Sequence, residues 1–176
     1  MLPPLTTDRL LLRQRHDDDV PAILRMDADP EVMRFFGDGR PPDPVEHEKL
    51  VRARIHTDFG EGLGYWSAFP RGRPDDFLGY VQLTAMPDYG DIEIGYRFHR
   101  GAWGRGLASE AAGACLDHAF RTRALPAVVA VIHPDNIRSQ RVIMKLGFGE
   151  SGRRYAYGAD LLLYRLERTS YLARTA

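Results

Sequence analysis

Hydrophobic and polar residues alternate most cleanly from Asp91 to Phe98, where Ile92, Ile94, Tyr96 and Phe98 interleave with Glu93, Gly95 and Arg97. A period of two predicts a half-buried strand. Gly101, Gly104 and Gly106 follow, and glycine lets a chain turn sharply and lie close to a ligand. Leu107, Ala111, Ala114 and Cys115 then recur at helical spacing in a helix that runs to about Arg121, with Glu110 in its first turn favoured by the helix dipole. The first N–H groups of a helix lack internal partners and carry partial positive charge. A glycine turn in front of them makes a seat for an anion, most naturally a phosphate.

The same reading covers the rest of the chain. Leu10, Leu11 and Leu12 predict an opening strand over roughly Thr6 to Arg15. Asp17 to Asp19 cap a helix through Asp27, with Val20, Ile23 and Leu24 on its buried face. Asp29-Pro30 restarts a helical turn through Phe36, and Gly37 to Pro44 is a loop. Val45 to Phe59 is a third helix, with Val45, Leu50, Val51 and Ile55 as its apolar side. Tyr65–Phe69 and Phe77–Thr84 predict two strands. The valine-rich run Ala127 to Ile132 predicts a strand covered on both faces. Ile137 to Leu146 is a helix capped by Asn136 and stopped by Gly147. Phe148–Tyr155 and Leu161–Leu166 are the last strands, turning at Gly158. The expected class is α/β (α+β): a single domain with a mixed, mostly antiparallel sheet of about six or seven strands and helices on both faces.

At 176 residues the chain is long enough for one domain with its own core. Lys+Arg and Asp+Glu balance at 24 each, so no overall field draws it to nucleic acid or to an anionic membrane. Cys115 is the single cysteine, which excludes an internal disulfide and fits a reducing compartment. The N-terminus lacks the apolar run of a signal peptide, and the stretch Ala124 to Ile132 is far too short to span a bilayer. The expectation is a cytoplasmic protein, monomeric or homodimeric. The six histidines show no metal-ligand spacing, and no metal is expected.

No Lys-Ser or Lys-Thr follows the glycines, so the turn is not a P-loop, and its place in the chain is wrong for a dinucleotide fingerprint. The run Trp103-Gly104-Arg105-Gly106-Leu107-Ala108 instead resembles the Arg/Gln-x-x-Gly-x-Gly/Ala motif of the GNAT acetyltransferase superfamily. Trp103 stands where Arg or Gln is usual, a departure familiar in the RimJ/RimL-type branch that acts on ribosomal-protein N-termini. Leu5 to Arg13 resembles the opening of that branch. Asn136-x-x-Ser139, followed by Leu146-Gly147-Phe148, resembles the second half of the superfamily core. Read alone, those residues are a helix cap and a helix stop. The resemblance spans about residues 5 to 168.

It implies transfer of an acetyl group from acetyl-CoA to a primary amine, a protein α-amine or a small-molecule amine, directly within a ternary complex. It also implies that two central strands splay to admit the pantetheine arm. By motif position, Tyr96, Arg97 and Phe98 offer backbone bonds to that arm, and an N–H near Phe98 holds the oxyanion. The N–H groups of Trp103, Gly104, Arg105, Gly106, Leu107, Ala108 and Ser109 hold the pyrophosphate, with Asn136 and Ser139 also on the cofactor side. Arg100, Arg105, Arg138 and Arg141 fall near the inferred phosphates.

A charged amine must lose its proton before it attacks. Glu93 is the candidate base, although it also reads as an exposed polar residue on an alternating strand; Asp91 is the second candidate. Many relatives carry a tyrosine acid seven residues after the Asn, where this chain has Ile143. Ser139 becomes the candidate that protonates the departing thiolate, or else only bonds to the cofactor. Asp27, Asp29, Glu31 and Asp38 would favour a cationic acceptor, or are simply solvated loop charges, and no feature picks the acceptor. The competing expectation is a non-catalytic sensor or structural protein that binds acyl-CoA.

Overall fold

A computed structural model describes residues 1–175. The strands are β1 (Leu5–Thr6), β2 (Leu10–Gln14), β3 (Gly64–Pro70), β4 (Gly79–Ala85), β5 (Ile92–Phe98), β6 (Ala127–Ile132), β7 (Gly149–Ala156) and β8 (Ala159–Glu167). The helices are α1 (Val20–Asp27), α2 (Pro30–Met33), α3 (Pro44–His56), α4 (Leu107–Asp117), α5 (Ile137–Leu146) and α6 (Arg168–Arg174). The strands form one sheet in the order β1-β2-β3-β4-β5-β6-β8-β7. Neighbours run antiparallel except β5 and β6, which are parallel and joined through α4.

Eight strands replace the six or seven expected, because the opening stretch folds back on itself at Thr7–Arg9. Thr7 Oγ1 accepts the Leu10 N–H at 2.9 Å and donates to Glu110 Oε1 at 2.5 Å. Glu110 Oε1 also accepts the Arg9 N–H at 3.0 Å. Glu110 therefore anchors this turn from α4, a role its place near a helix start does not announce.

Strand alternation sorts side chains onto two faces. Leu10, Leu12, Trp66, Ala68, Val81, Leu83, Ile94 and Phe98 belong to the main core, with Leu107, Ala111, Cys115 and Leu116 of α4 packed on it. Cys115 is fully buried there. The opposite face carries Tyr65 and Tyr80, which pack with Met26 of α1 and Val32 of α2. Val20, Ile23 and Val51 join α1 to α3.

The third helix departs from its predicted apolar side. Val51 is buried, but Val45 and Leu50 are exposed, while His47 is buried. The cause is a polar anchor: His47 Nε2 lies 2.7 Å from Asp27 Oδ2. The same oxygen takes the Arg97 guanidinium of β5 at 2.8 Å. Phe36 covers that guanidinium, its ring centre 4.0 Å away. Burial alone would push the Asp27 carboxyl up, but the His47 hydrogen bond and the Arg97 charge hold it below the usual carboxylate range. One buried carboxylate thus ties α1 and α3 to the central strand. The last helix, α6, had no periodic signal; Tyr171 anchors it in the main core.

Removing one partner of such a pair strands a buried charge. Arg97→Met should lower the unfolding free energy by about 3–5 kcal/mol in urea titration at neutral pH. Adding Asp27→Asn should return part of that loss. A wild-type midpoint for Arg97→Met would remove the pair from the account of stability.

Candidate active site

Among the described residues β5 and β6 pair at Glu93 opposite Val129 and nowhere further along. The strands then part. Backbone parity decides what the gap exposes, because paired antiparallel positions alternate in direction. The Met86 N–H donates to Asp91 O at 2.7 Å, and the His99 N–H donates to Leu78 O at 3.1 Å. Glu93, Gly95 and Arg97 share that parity and turn their main chain to β4. Ile94, Tyr96 and Phe98 turn theirs toward β6 and the gap. Of the three residues expected to bond a ligand's arm through the backbone, Tyr96 and Phe98 face the gap and Arg97 does not. Arg97 is instead committed through its side chain to Asp27. The Phe98 carbonyl accepts Trp103 Nε1–H at 2.7 Å. Trp103 thus closes off the strand end with a bond from its own ring.

A cavity of about 870 Å³ lies at the end of β5, between α2 with the residues after it and the starts of α4 and α5. Tyr96, Arg97, Phe98, Trp103, Gly104, Gly106, Leu107, Ala108, Ser109, Asn136 and Ser139 all line it. Gly104 and Gly106 adopt φ of 71° and 75°, the left-handed region that favours glycine. Gly106 caps α4 with no side-chain hydrogen bond, so the free N–H groups of that first turn are not taken up by a capping side chain. Arg34, Arg138 and Arg141 add positive charge to the walls. Glu31, which pairs with Arg34 at 3.9 Å, and Asp135 also line it, so the helix start, the β5 edge at Tyr96 and Phe98 and the guanidinium groups of Arg138 and Arg141 are what suit a diphosphate on a long, narrow arm.

Some expected residues lie elsewhere. Arg105 is not among the cavity-lining residues; it borders a neighbouring groove with His99, and its carbonyl accepts from Arg9 Nη1 at 2.9 Å. Arg100 is paired with Asp29 at 2.5 Å. Asn136 spends its side-chain oxygen on the Ser139 N–H at 3.2 Å, capping α5. The Ser139 carbonyl accepts the Tyr96 hydroxyl at 3.2 Å. Ile143 is fully buried, so α5 offers no phenol at that position.

Glu93 sits at the point where the strands part, and it is not an exposed polar residue: only 5% of its surface is accessible. Its Oε2 accepts a hydrogen bond from the Tyr157 hydroxyl. Burial pushes its carboxyl up to about 7, partly offset by the Tyr157 hydrogen bond and the Arg154 charge. Asp91, the second candidate, is held by Arg154 at 2.7 Å and Arg165 at 3.3 Å. A buried carboxyl poised near neutral pH suits a general base, although Glu93 is not one of the residues that line the cavity and its side chain lies on the α1–α3 face of the sheet.

A family model, Acetyltransferase (GNAT) domain, matches residues 9–149. The chain belongs to the GNAT acetyltransferase family. It is an acetyl-CoA-dependent acyltransferase. The uncharacterized N-acetyltransferase YoaA of Bacillus subtilis is 31% identical to it over 89% of this chain and 90% of that protein. The uS5 ribosomal-protein alanine N-acetyltransferase of Escherichia coli is 27% identical over 90% and 82%. Among solved structures, an acetyltransferase from Agrobacterium tumefaciens superposes with a TM-score of 0.81 at 28% identity, covering 95% of both chains. The spermidine N-acetyltransferase of Vibrio cholerae, solved with CoA and spermine, gives 0.76 at 18% identity over 94% and 99%.

Sequence reasoning about this acetyltransferase missed Tyr157. It lies in the β7–β8 turn at φ 54°, an uncommon conformation for a non-glycine residue, and only its place before Gly158 marked the turn. Gln82 was missed as well. A side chain at Gly95 would press on its amide at 3.1–3.2 Å, so glycine there leaves Gln82 lying over β5 beside Glu93.

Glu93 carries a linkage prediction with a definite sign. Its folded pKa, about 7, exceeds its ordinary value of 4.5, so the stability it contributes is full below pH 4.5 and is lost as pH rises through 7. Glu93→Gln should therefore stabilise the fold by about 1–3 kcal/mol near pH 8.5 and by nothing near pH 4. Tyr157→Phe removes a bond to the charged form, so the Glu93 titration followed by carboxyl NMR should move above 7. A downward move would contradict the assignment.

Proposed function

We propose that this acetyltransferase carries an acetyl group from acetyl-CoA to a primary amine, a protein N-terminal α-amine or a small-molecule amine, within a ternary complex. The observation that carries the reading is Glu93, a buried carboxyl with pKa about 7 at the apex of the strand divergence. When bound, acetyl-CoA supplies an acyl carbon activated by a good thiolate leaving group. The N–H groups of the α4 start, with Arg138 and Arg141, would hold its diphosphate, and the β5 edge at Tyr96 and Phe98 would bind its arm. The Phe98 N–H faces the gap and donates to the developing oxyanion.

The acceptor approaches from the α1–α3 side, where the Glu93 side chain points. Glu93 takes the amine proton, directly or through one water, as nitrogen bonds the acyl carbon. The C–S bond breaks and the thiolate takes a proton. Ser139 lines the cavity and is one donor. The Tyr96 hydroxyl, held on the Ser139 carbonyl, is a second, and it brings a phenol to the region where α5 has none. A cytoplasmic, reducing setting accompanies this function, with no metal and no nucleic acid required.

Acetyl-CoA should raise the melting temperature, and free thiol should appear when amines are added. Glu93→Gln should lower kcat by roughly 10²–10⁴-fold with little change in acetyl-CoA affinity. The wild-type rate should rise with pH through about 7, the value at which burial sets Glu93, and the variant should lose that limb. Tyr96→Phe and Ser139→Ala, compared by the same assay, identify the proton donor by the larger loss of kcat. Stabilisation by acetyl-CoA without thiol release from any amine would favour the sensor reading instead.

A further inference from the structure

On the α1–α3 face, Arg15 has no counter-ion among the described residues. Arg15 follows β2 and is only 4% exposed. Its guanidinium carbon lies 4.2 Å from the Tyr65 ring centre and 4.3 Å from that of Tyr80. Its Nε and Nη2 are buried without a hydrogen-bond partner. Among the described residues no carboxylate pairs with it. Asp27, the nearest buried acid to act on it, is already shared by Arg97 and His47. Aromatic faces ease such a burial but do not neutralise it.

A second cation stands beside it. Arg54 of α3 is half-buried, with no ion pair or hydrogen bond among the described residues. Arg15 and Arg54 line a separate cavity of about 350 Å³, with Gln14 and Tyr65. Two acids also line it: Glu61 pairs with Arg123 at 2.8 Å, and exposed Asp58 accepts the Gly60 N–H at 2.9 Å but makes no ion pair with either arginine among the described residues.

The cavity belongs to the Glu93 end of the sheet. Tyr65, the second residue of β3, lies opposite Gln82, and Gln82 stands opposite Gly95, two residues from Glu93. Two strand spacings put Tyr65 about 10 Å from β5. The Arg54 charge acts on both Tyr65 and Tyr157, and Tyr157 holds Glu93. The acids that suggested a cationic acceptor are committed elsewhere. Asp27 is internal, Asp29 binds Arg100, Glu31 binds Arg34 at 3.9 Å, and Asp38 caps the Arg40 N–H at 3.1 Å.

We propose that the Arg15–Arg54 cavity receives a carboxylate carried by the acceptor, so that the substrate is an amine tethered to an acid rather than a polyamine. This rests on the acetyl-transfer reading above. Adding the two residues along β5 from Gly95 to Glu93 makes the span roughly 12 Å, between three and four extended residues, so a peptide with an acidic side chain near its third position fits. The amine lies at Glu93, and the carboxylate accepts from Arg54 and the open end of Arg15.

The probes are product-like peptides titrated by calorimetry into the full-length protein with coenzyme A present. Acetyl-Ala-Ala-Glu-amide should bind on the order of tenfold tighter than acetyl-Ala-Ala-Gln-amide. The preference should vanish in Arg54→Gln, survive in Arg54→Lys and shrink with added salt. Arg54 is half-buried, so these variants should fold, and circular dichroism checks it. Equal binding of the two peptides, a preference kept by Arg54→Gln, or binding by neither would overturn the proposal. Thiol release with simple amines reads the parent function separately. Release without acid preference removes only the subsite, whereas silence toward every amine removes acetyl transfer itself.

Discussion

The structure depends on a sheet held open in its middle. Beyond Glu93 and Val129 the central strands separate. The strand edges at Tyr96 and Phe98 are thus left facing a gap where a continuous sheet would pair them. Unpaired main-chain groups inside a fold are costly, and a gap persists only when its surroundings supply partners or fill it. Here the Trp103 ring takes the Phe98 carbonyl, and the Tyr96 hydroxyl reaches across to α5. Because β5 and β6 are parallel, a crossover must join them. That crossover is α4, and its start therefore arrives at the mouth of the gap. One topological fact places the strand edges and the anion-binding helix start together.

The opposite face is organised by charge. Asp27 binds His47 and Arg97, and Asp19 binds Arg13 at 2.7 Å and the Ser67 hydroxyl at 2.8 Å. These ties hold α1 and α3 to the sheet and consume the carboxylates that an acceptor might otherwise meet. Left on this face are Glu93, a carboxyl held near neutrality, and Arg15 and Arg54, two guanidinium groups with no ion pair among the described residues. A face with a proton acceptor at one place and surplus positive charge at another discriminates among amines by what else they carry.

Much of this was readable from the chain. The strand before the glycines and the Asn136 cap appear within a residue or two of their expected bounds, and the helix after the glycines reaches its expected end only because a wider π-helical turn, His118–Thr122, continues α4 beyond Asp117. The misreadings have physical causes. The opening leucines read as one strand because the fold-back at Thr7–Arg9 depends on Glu110, a hundred residues away. Val45 and Leu50 read as core because helical spacing is local, whereas the face α3 buries was fixed by His47 meeting Asp27. Glu93 could be read as solvent-facing because alternation shows which face a side chain takes but not what covers that face.

The sequence alone determined the backbone: where strands alternate, where glycine permits positive φ, where Asn136 caps and Gly147 stops a helix. Those preferences act over a few neighbouring residues. Only the tertiary structure decided the chemistry. A carboxyl's proton affinity and a guanidinium's lack of a counter-ion depend on groups brought close from distant parts of the chain. Tyr157 meets Glu93 across 64 residues, and Arg15 and Arg54 line one cavity although α1 and α2 separate them in the chain.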